Sequence, residues 1–155
     1  MTRGPFSYDF GDAGCQTPLL AMFTLGHQFV PPPIHAGGLR YHGMAPLVSQ
    51  AIRERLITPV SYDQVKCYNS ALIWLSTEGT VPAPETNHAI ACVIEEALKA
   101  KKSNQEKIIL FCYSGHGLMD LGGYEKFLDK KLKEYALPEE YLRESLKSID
   151  KLPKT

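Results

Sequence analysis

The feature that most constrains this chain is a compact apolar run, Lys107 to Tyr113 (KIILFCY), that follows a helical pattern and leads straight into Ser114-Gly115-His116-Gly117. A strand buried on both faces of a parallel sheet has this continuous apolar composition, because helices cover it above and below. The reading is therefore a buried parallel strand feeding a glycine loop, and helix, strand, loop in that order is α/β organisation. Ligands in open sheets of this class meet the carboxyl ends of strands, which is where Ser114 falls.

The residues before this strand supply the helices. Ser61 followed by Gln64 is a capping-box signature, and Val65, Tyr68, Leu72 and Leu75 continue at helical spacing until Gly79. After Pro82 and Pro84, a second helix runs from Glu85 to Lys102, with Ile90, Val93, Ile94, Ala97 and Leu98 on one face. Lys99, Lys101 and Lys102 suit its negative end. Upstream, Met44 to Leu56 reads as a short helix with Leu47, Ile52 and Leu56 toward the core, and Thr58 to Val60 as a short strand. The opening 43 residues are rich in glycine and proline with little periodicity, as expected of a stretch that wraps something. The tail from Tyr124 to Leu152 reads as two mixed-charge helices separated by Pro138, a solvated surface.

Composition narrows the partners. Seventeen basic residues balance seventeen acidic ones, so no long-range positive field gathers nucleic acid or an anionic membrane. No apolar run approaches the length of a membrane span, and the start has no secretory pattern. Cys15, Cys67, Cys92 and Cys112 are widely spaced and read as reduced core thiols of a cytoplasmic protein. The five histidines show neither the i, i+4 pairing nor the spacing of a zinc site, so no metal is expected and they read as hydrogen-bonded structural groups.

By local sequence alone, Ser114 to Gly117 offers a hydroxyl and an imidazole on a loop whose glycines admit close approach of a ligand. A tight strand-to-helix connection with a solvated histidine explains it equally well. A caspase-like histidine is disfavoured because no cysteine lies downstream of His116, and the serine elbow G-x-S-x-G fails because Cys112 stands where its first glycine should be. Glu78 and Glu85 bracket a proline-rich turn at a helix end. Glu78 is a candidate ligand-facing carboxylate. Glu85 reads as merely favouring the positive start of the next helix, and His88 as packed against loops.

Four ordered blocks carry a resemblance. They are Tyr8-Asp9-Phe10-Gly11-Asp12 with Thr17-Pro18-Leu19 and Thr24-Leu25-Gly26-His27; Pro31 to Gly43 (PPPIHAGGLRYHG); Glu78 to Glu85 (EGTVPAPE) with His88-Ala89; and Ser114 to Gly117. Together they resemble the carboxyl-terminal part of the tryptophan synthase β family, in particular its second, longer β-like subgroup. The third block is similar to the family's E-G-I-x-P-A-x-E-x-x-H-A and the fourth to its S-G-x-G. The likeness covers about residues 2 to 120 and runs on to Thr2-Arg3-Gly4, which implies that Met1 is an internal methionine or a miscalled start.

What the resemblance implies is the final portion of the larger three-layer domain of a fold type II pyridoxal-phosphate enzyme. Residues 1–43 would be a site-lining loop region, 44–120 the α/β core and 121–155 a helical tail. The activity implied is a lyase reaction that replaces the hydroxyl of L-serine, or the phosphate of O-phosphoserine, with indole to give L-tryptophan. The cofactor would be pyridoxal 5'-phosphate, with Ser114, Gly115 and Glu78 at its ring and Gly37, Gly38 and Arg40 bordering the substrate pocket. The Schiff-base lysine and the phosphate-holding glycine loop have no counterpart here. No catalytic residue is therefore assigned, and the chain alone is expected to be inactive, its missing amino-terminal part being the first partner. A β–β homodimer is implied for the complete enzyme, with weak or absent association with an α subunit. Arg40 departs from the aspartate of the usual β chains, and its guanidinium suits a carboxylate or phosphate. A non-catalytic interaction module of the same fold is the alternative.

Overall fold

The computed structural model describes residues 3–154, so the reading of Met1 as an internal methionine, and the likeness at Thr2, lie outside the described residues. In chain order the elements are β1 (Phe6–Phe10), β2 (Leu19–Phe23), a 3-10 turn at Gly37–Leu39, α1 (Pro46–Arg53), α2 (Gln64–Glu78), α3 (Pro84–Lys102), α4 (Leu121–Leu128), α5 (Glu139–Leu146) and a second 3-10 turn at Lys147–Ile149. This is a mixed helix and strand chain, compatible with α/β organisation. It divides into two compact units, one of residues 3–33, 40–61 and 136–154 and one of residues 34–39 and 62–135.

The first unit is built on a hairpin within the aperiodic opening stretch. β1 and β2 pair antiparallel, with Phe6 opposite Phe23 and Phe10 opposite Leu19. The strand period is present but inverted in polarity: Ser7 and Asp9 face inward while Phe6, Tyr8 and Phe10 are half-buried. Asp9 is fully buried because its carboxylate has three donors. His27 Nδ1 lies 2.6 Å away, the Thr24 hydroxyl donates at 2.6 Å and the Phe10 amide at 2.8 Å. The segment after Arg40 joins this hairpin as a third edge. Leu25 N–H donates to the His42 carbonyl at 2.7 Å, Met44 N–H to the Phe23 carbonyl at 2.9 Å, and Thr24 bridges Gly43. His42 also lies 2.8 Å from the Phe10 carbonyl through Nε2, so two of the five histidines are structural hydrogen-bonding groups, as expected.

Three expectations for this unit are corrected. The helix predicted over 44–56 is shorter, and Leu47 and Leu56 are exposed; its buried residue is Ser49, whose hydroxyl accepts the Phe23 amide at 3.1 Å. Pro46 starts the helix, and Arg55 at φ 58 is outside it. Thr58 to Val60 forms no strand, since no ladder among the described residues includes it. The tail is not simply a solvated surface. α5 packs Leu142 against Leu25 and Phe29, with Tyr141 and Leu146 alongside. Gly26, at φ 91, allows this approach, since a Cβ there would lie 2.4 Å from the Ser145 carbonyl oxygen.

The second unit is helical. α2 packs on α3 and α4, and Tyr68 and Ala71 of α2 meet Tyr124 of α4 in a small core joined by Val81, Phe127 and Leu132. α2 begins at Gln64 with Asp63 as N-cap and no side-chain cap bond, which corrects the capping-box reading. The Gln64 amide instead accepts from His35 N–H at 3.4 Å and donates to the Lys133 carbonyl, while Glu134 accepts the orphan Val65 N–H at 3.1 Å. Gly79 closes the helix in the left-handed conformation at φ 72.

The correction that matters most concerns Lys107 to Tyr113. These residues form no ladder, and Ile108 and Leu110 are 99% and 95% exposed. A parallel strand takes its backbone bonds from neighbours on its edges, and the described residues offer it none. Cys112 on this segment and Cys15 are exposed rather than core thiols. Cys67 is buried, and loss of hydration pushes its thiol up to about 12. No helix among the described residues is long and apolar enough to cross a membrane.

Candidate functional site

The second unit brings the EGTVPAPE block and the SGHG loop together. Val81 to Ala83 runs antiparallel to Gly115 to Gly117: Gly117 N–H donates to the Val81 carbonyl at 2.7 Å, Ala83 N–H to the Gly115 carbonyl at 3.3 Å, and Pro82 bridges His116. Thr86, buried in the first turn of α3, donates its hydroxyl to the Ser114 carbonyl at 2.5 Å. Tyr124 donates to the Pro82 carbonyl at 2.6 Å. Thr80 sits between Trp74 Nε1 at 3.0 Å and the Tyr113 hydroxyl at 3.2 Å. The loop backbone is thus held from three sides.

The side chains on that frame are left available. Ser114 is exposed and its hydroxyl bonds to no described residue. Gly115 takes φ 89, a conformation that favours glycine. Glu78 ends α2 and is exposed at the entrance to the same block. His116 is exposed as well, its Nδ1 facing the Leu118 amide at 3.3 Å.

Gly37 and Gly38 lie in the 3-10 turn, and here the expectation for Glu85 is extended. Besides standing at the start of α3, its carboxylate accepts the Gly38 N–H at 2.6 Å, and a Cβ on Gly38 would lie 3.0 Å from the same oxygen. The glycine is what admits the carboxylate, a role the sequence did not signal because the partners are 47 residues apart. Gly37 borders a cleft of about 380 Å³ with Ile34, His35, Tyr68, Pro84 and Lys126. Arg40 belongs to the first unit, is exposed, and places its guanidinium 3.4 Å from the Pro31 carbonyl. Among the described residues no group of three or more His, Cys, Asp or Glu is placed to hold a metal ion.

Burial holds His88 below the usual histidine range, and burial together with the Lys126 ammonium does the same for His35. Both are therefore more easily protonated in the unfolded chain, so stability is full above the unfolded value of 6.5 and declines as pH falls through it. The urea midpoint is expected to drop between about pH 7 and pH 5.5. H88Q should flatten that drop, and an unchanged slope in H88Q would remove His88 from this account.

No protein-family model matches the chain. It is 54% identical over 140 residues, 90% of its length, to the tryptophan synthase beta chain of Thermococcus onnurineus, and spans 31% of that protein. It is 51% identical over 135 residues to tryptophan synthase beta chain 2 of Pyrococcus abyssi and 53% identical over 132 residues to that of Methanosarcina acetivorans, spanning 31% and 30% of them. The blocks identified in the sequence lie within a chain alike over nine tenths of its length, and the "beta chain 2" names agree with the subgroup those blocks suggested. The chain belongs to the tryptophan synthase beta chain family, as a part corresponding to about three tenths of such a protein.

Proposed function

We propose that this chain forms one wall of the cofactor site of a pyridoxal-phosphate lyase that makes L-tryptophan from indole and L-serine or O-phosphoserine. The observation that carries this reading is the exposed hydroxyl of Ser114, on a loop whose backbone is bonded to the EGTVPAPE block. In this reading the chain is a partial domain, the final portion of a three-layer α/β fold type II domain. Residues 1–43 line the site, 44–120 supply the core and 121–155 the tail.

The residues fit the cofactor chemically. A neutral hydroxyl hydrogen-bonds a pyridine nitrogen without enforcing its protonation, which is the role of Ser114, and Gly115 lets the backbone pass close to the ring. Pyridoxal 5'-phosphate, when bound, supplies the electron sink for bond changes at an amino acid's α and β carbons. Glu78 presents a carboxylate near the ring. Gly37 and Gly38, the latter held by Glu85, border the substrate pocket. Arg40 offers a guanidinium to an anionic group of the donor, which favours O-phosphoserine beside serine. The complete enzyme is a β–β homodimer with weak or no attachment to an α subunit.

The test joins this chain in frame behind the part of the Thermococcus onnurineus protein that it does not span. The joined enzyme is expected to form tryptophan from indole and serine, the chain alone none, and S114D to lower kcat. R40D is expected to shift the phosphoserine-to-serine preference toward serine by about tenfold, the value of one charge-assisted hydrogen bond. No turnover by a folded, cofactor-loaded joined enzyme rejects the reading, and an unchanged preference in R40D rejects the role of Arg40.

A further inference from the structure

Ser7 is an inward residue of β1 and only 6% exposed, yet its hydroxyl has no hydrogen-bond partner among the described residues. By contrast Ser148, in the 3-10 turn that packs on β1, donates its hydroxyl to the Ser145 carbonyl at 2.7 Å. Buried polar groups are nearly always bonded, and an exception marks a place where a bound molecule completes the bonding. Ser7 opens on a cleft of about 390 Å³ that lies wholly within the first unit, between β1 and the carboxyl-terminal turn. Phe6, Leu146 and Ile149 give the cleft apolar walls. The Phe6 ring is held by Phe23, edge-on at 5.5 Å, and by the Arg53 guanidinium 4.2 Å from its centre. Asp150 and Lys154 also line the cleft and are exposed, and among the described residues neither side chain has an ion pair or a hydrogen bond. None of Ser114, Gly115, Glu78, Gly37, Gly38 and Arg40 lines it.

We propose that this cleft binds a free α-amino acid with a bulky apolar side chain, at a site separate from the residues assigned to the cofactor and the substrate. The volume is that of a small-molecule site, and the lining has the usual form of apolar walls with a few polar groups. The charges select the ligand class. A zwitterion places its ammonium on the Asp150 carboxylate and its carboxylate on the Lys154 ammonium, satisfying both at once. A simple anion or cation meets one opposite charge and one like charge, so its gain is cancelled. Ser7 completes the polar set, because a hydroxyl both donates to a carboxylate and accepts from an ammonium. The ligand's side chain then lies on Phe6, Leu146 and Ile149 and removes apolar surface from water. The inference stands apart from the reading under Proposed function.

The experiment labels the isoleucine methyl groups for nuclear magnetic resonance and titrates L-leucine into this chain and into the joined enzyme. Ile149, which is buried in the cleft wall, is the reporter, assigned through I149V. A saturable shift of its methyl signal is expected, with a Kd of about 1 mM. Isocaproate and isoamylamine, which each lack one of leucine's two charges, should bind at least about tenfold more weakly. S7A should weaken leucine binding about fivefold without lowering the urea midpoint, because the hydroxyl it removes has no partner to lose. D150N and K154Q should each weaken it about tenfold and leave the circular dichroism unchanged, since both side chains are in solvent. The absence of a saturable Ile149 shift in both proteins overturns the proposal. So does binding of isocaproate or isoamylamine as tight as that of leucine, or unchanged leucine binding in any one of the three variants. None of these residues belongs to the proposed cofactor site, so the result is read independently of whether the joined enzyme forms tryptophan.

Discussion

Replacing Asp9 by alanine is expected to lower the stability of the first unit by about 3 kcal/mol or more, because several donors lose a buried carboxylate acceptor and each group left unsatisfied costs about 1–3 kcal/mol. The carboxylate is the acceptor for His27 Nδ1, the Thr24 hydroxyl and the Phe10 amide. Without it, three polar groups lose their partner in a place water does not reach, and the Thr24 oxygen also orients the Gly26 amide at 2.9 Å. Domains of this size have total stabilities of about 5–15 kcal/mol, so the loss is a large fraction of the whole. Urea unfolding followed by tyrosine fluorescence reads it directly. D9N, which keeps one acceptor oxygen, should recover part of the loss. A change below about 1 kcal/mol in D9A would mean that the hairpin does not depend on this network.

The second large effect is at Gly117. A Cβ there would lie 2.3 Å from the Pro82 carbonyl oxygen and 2.9 Å from Val81 Cγ1, and the first of these neighbours is backbone that cannot rotate away. Gly117→Ala therefore separates the two strands and breaks the 2.7 Å bond to the Val81 carbonyl. The expected cost is about 2–3 kcal/mol, from overpacking plus a lost hydrogen bond. Gly122→Ala is the control. No atom lies within 4 Å of its Cβ position, and it is in α4, so it should be neutral or stabilising by up to about 1 kcal/mol. Equal midpoints for the two variants would show that the pairing of Val81 to Ala83 with Gly115 to Gly117 does not hold the Ser114 loop. In the joined enzyme G117A should also lose turnover, because the displaced backbone is the one that carries Ser114.

α2 and α3, the stop of α2 and the span of α3 to within a residue are legible in the amino-acid sequence, which also singles out the residues proposed for the site. Those signals are local: apolar side chains at helical spacing, Gly79 at the stop and Pro84 at the start act within a few residues of each other. The four blocks and their order also came from sequence alone, and so did the family. Tertiary structure alone decided what each block pairs with. The hairpin escaped notice because its inward residues, Ser7 and Asp9, are polar and are stabilised there by Thr24 and His27, far along the chain. The hold of the Glu85 carboxylate on the Gly38 amide and the bonding of Gly117 N–H to the Val81 carbonyl engage backbone groups far apart in sequence, which a local side-chain pattern leaves unstated. The run from Lys107 to Tyr113 shows the same division. Its composition specifies a strand to be buried, but burial requires neighbours that hydrogen-bond its edges, and no local sequence provides them.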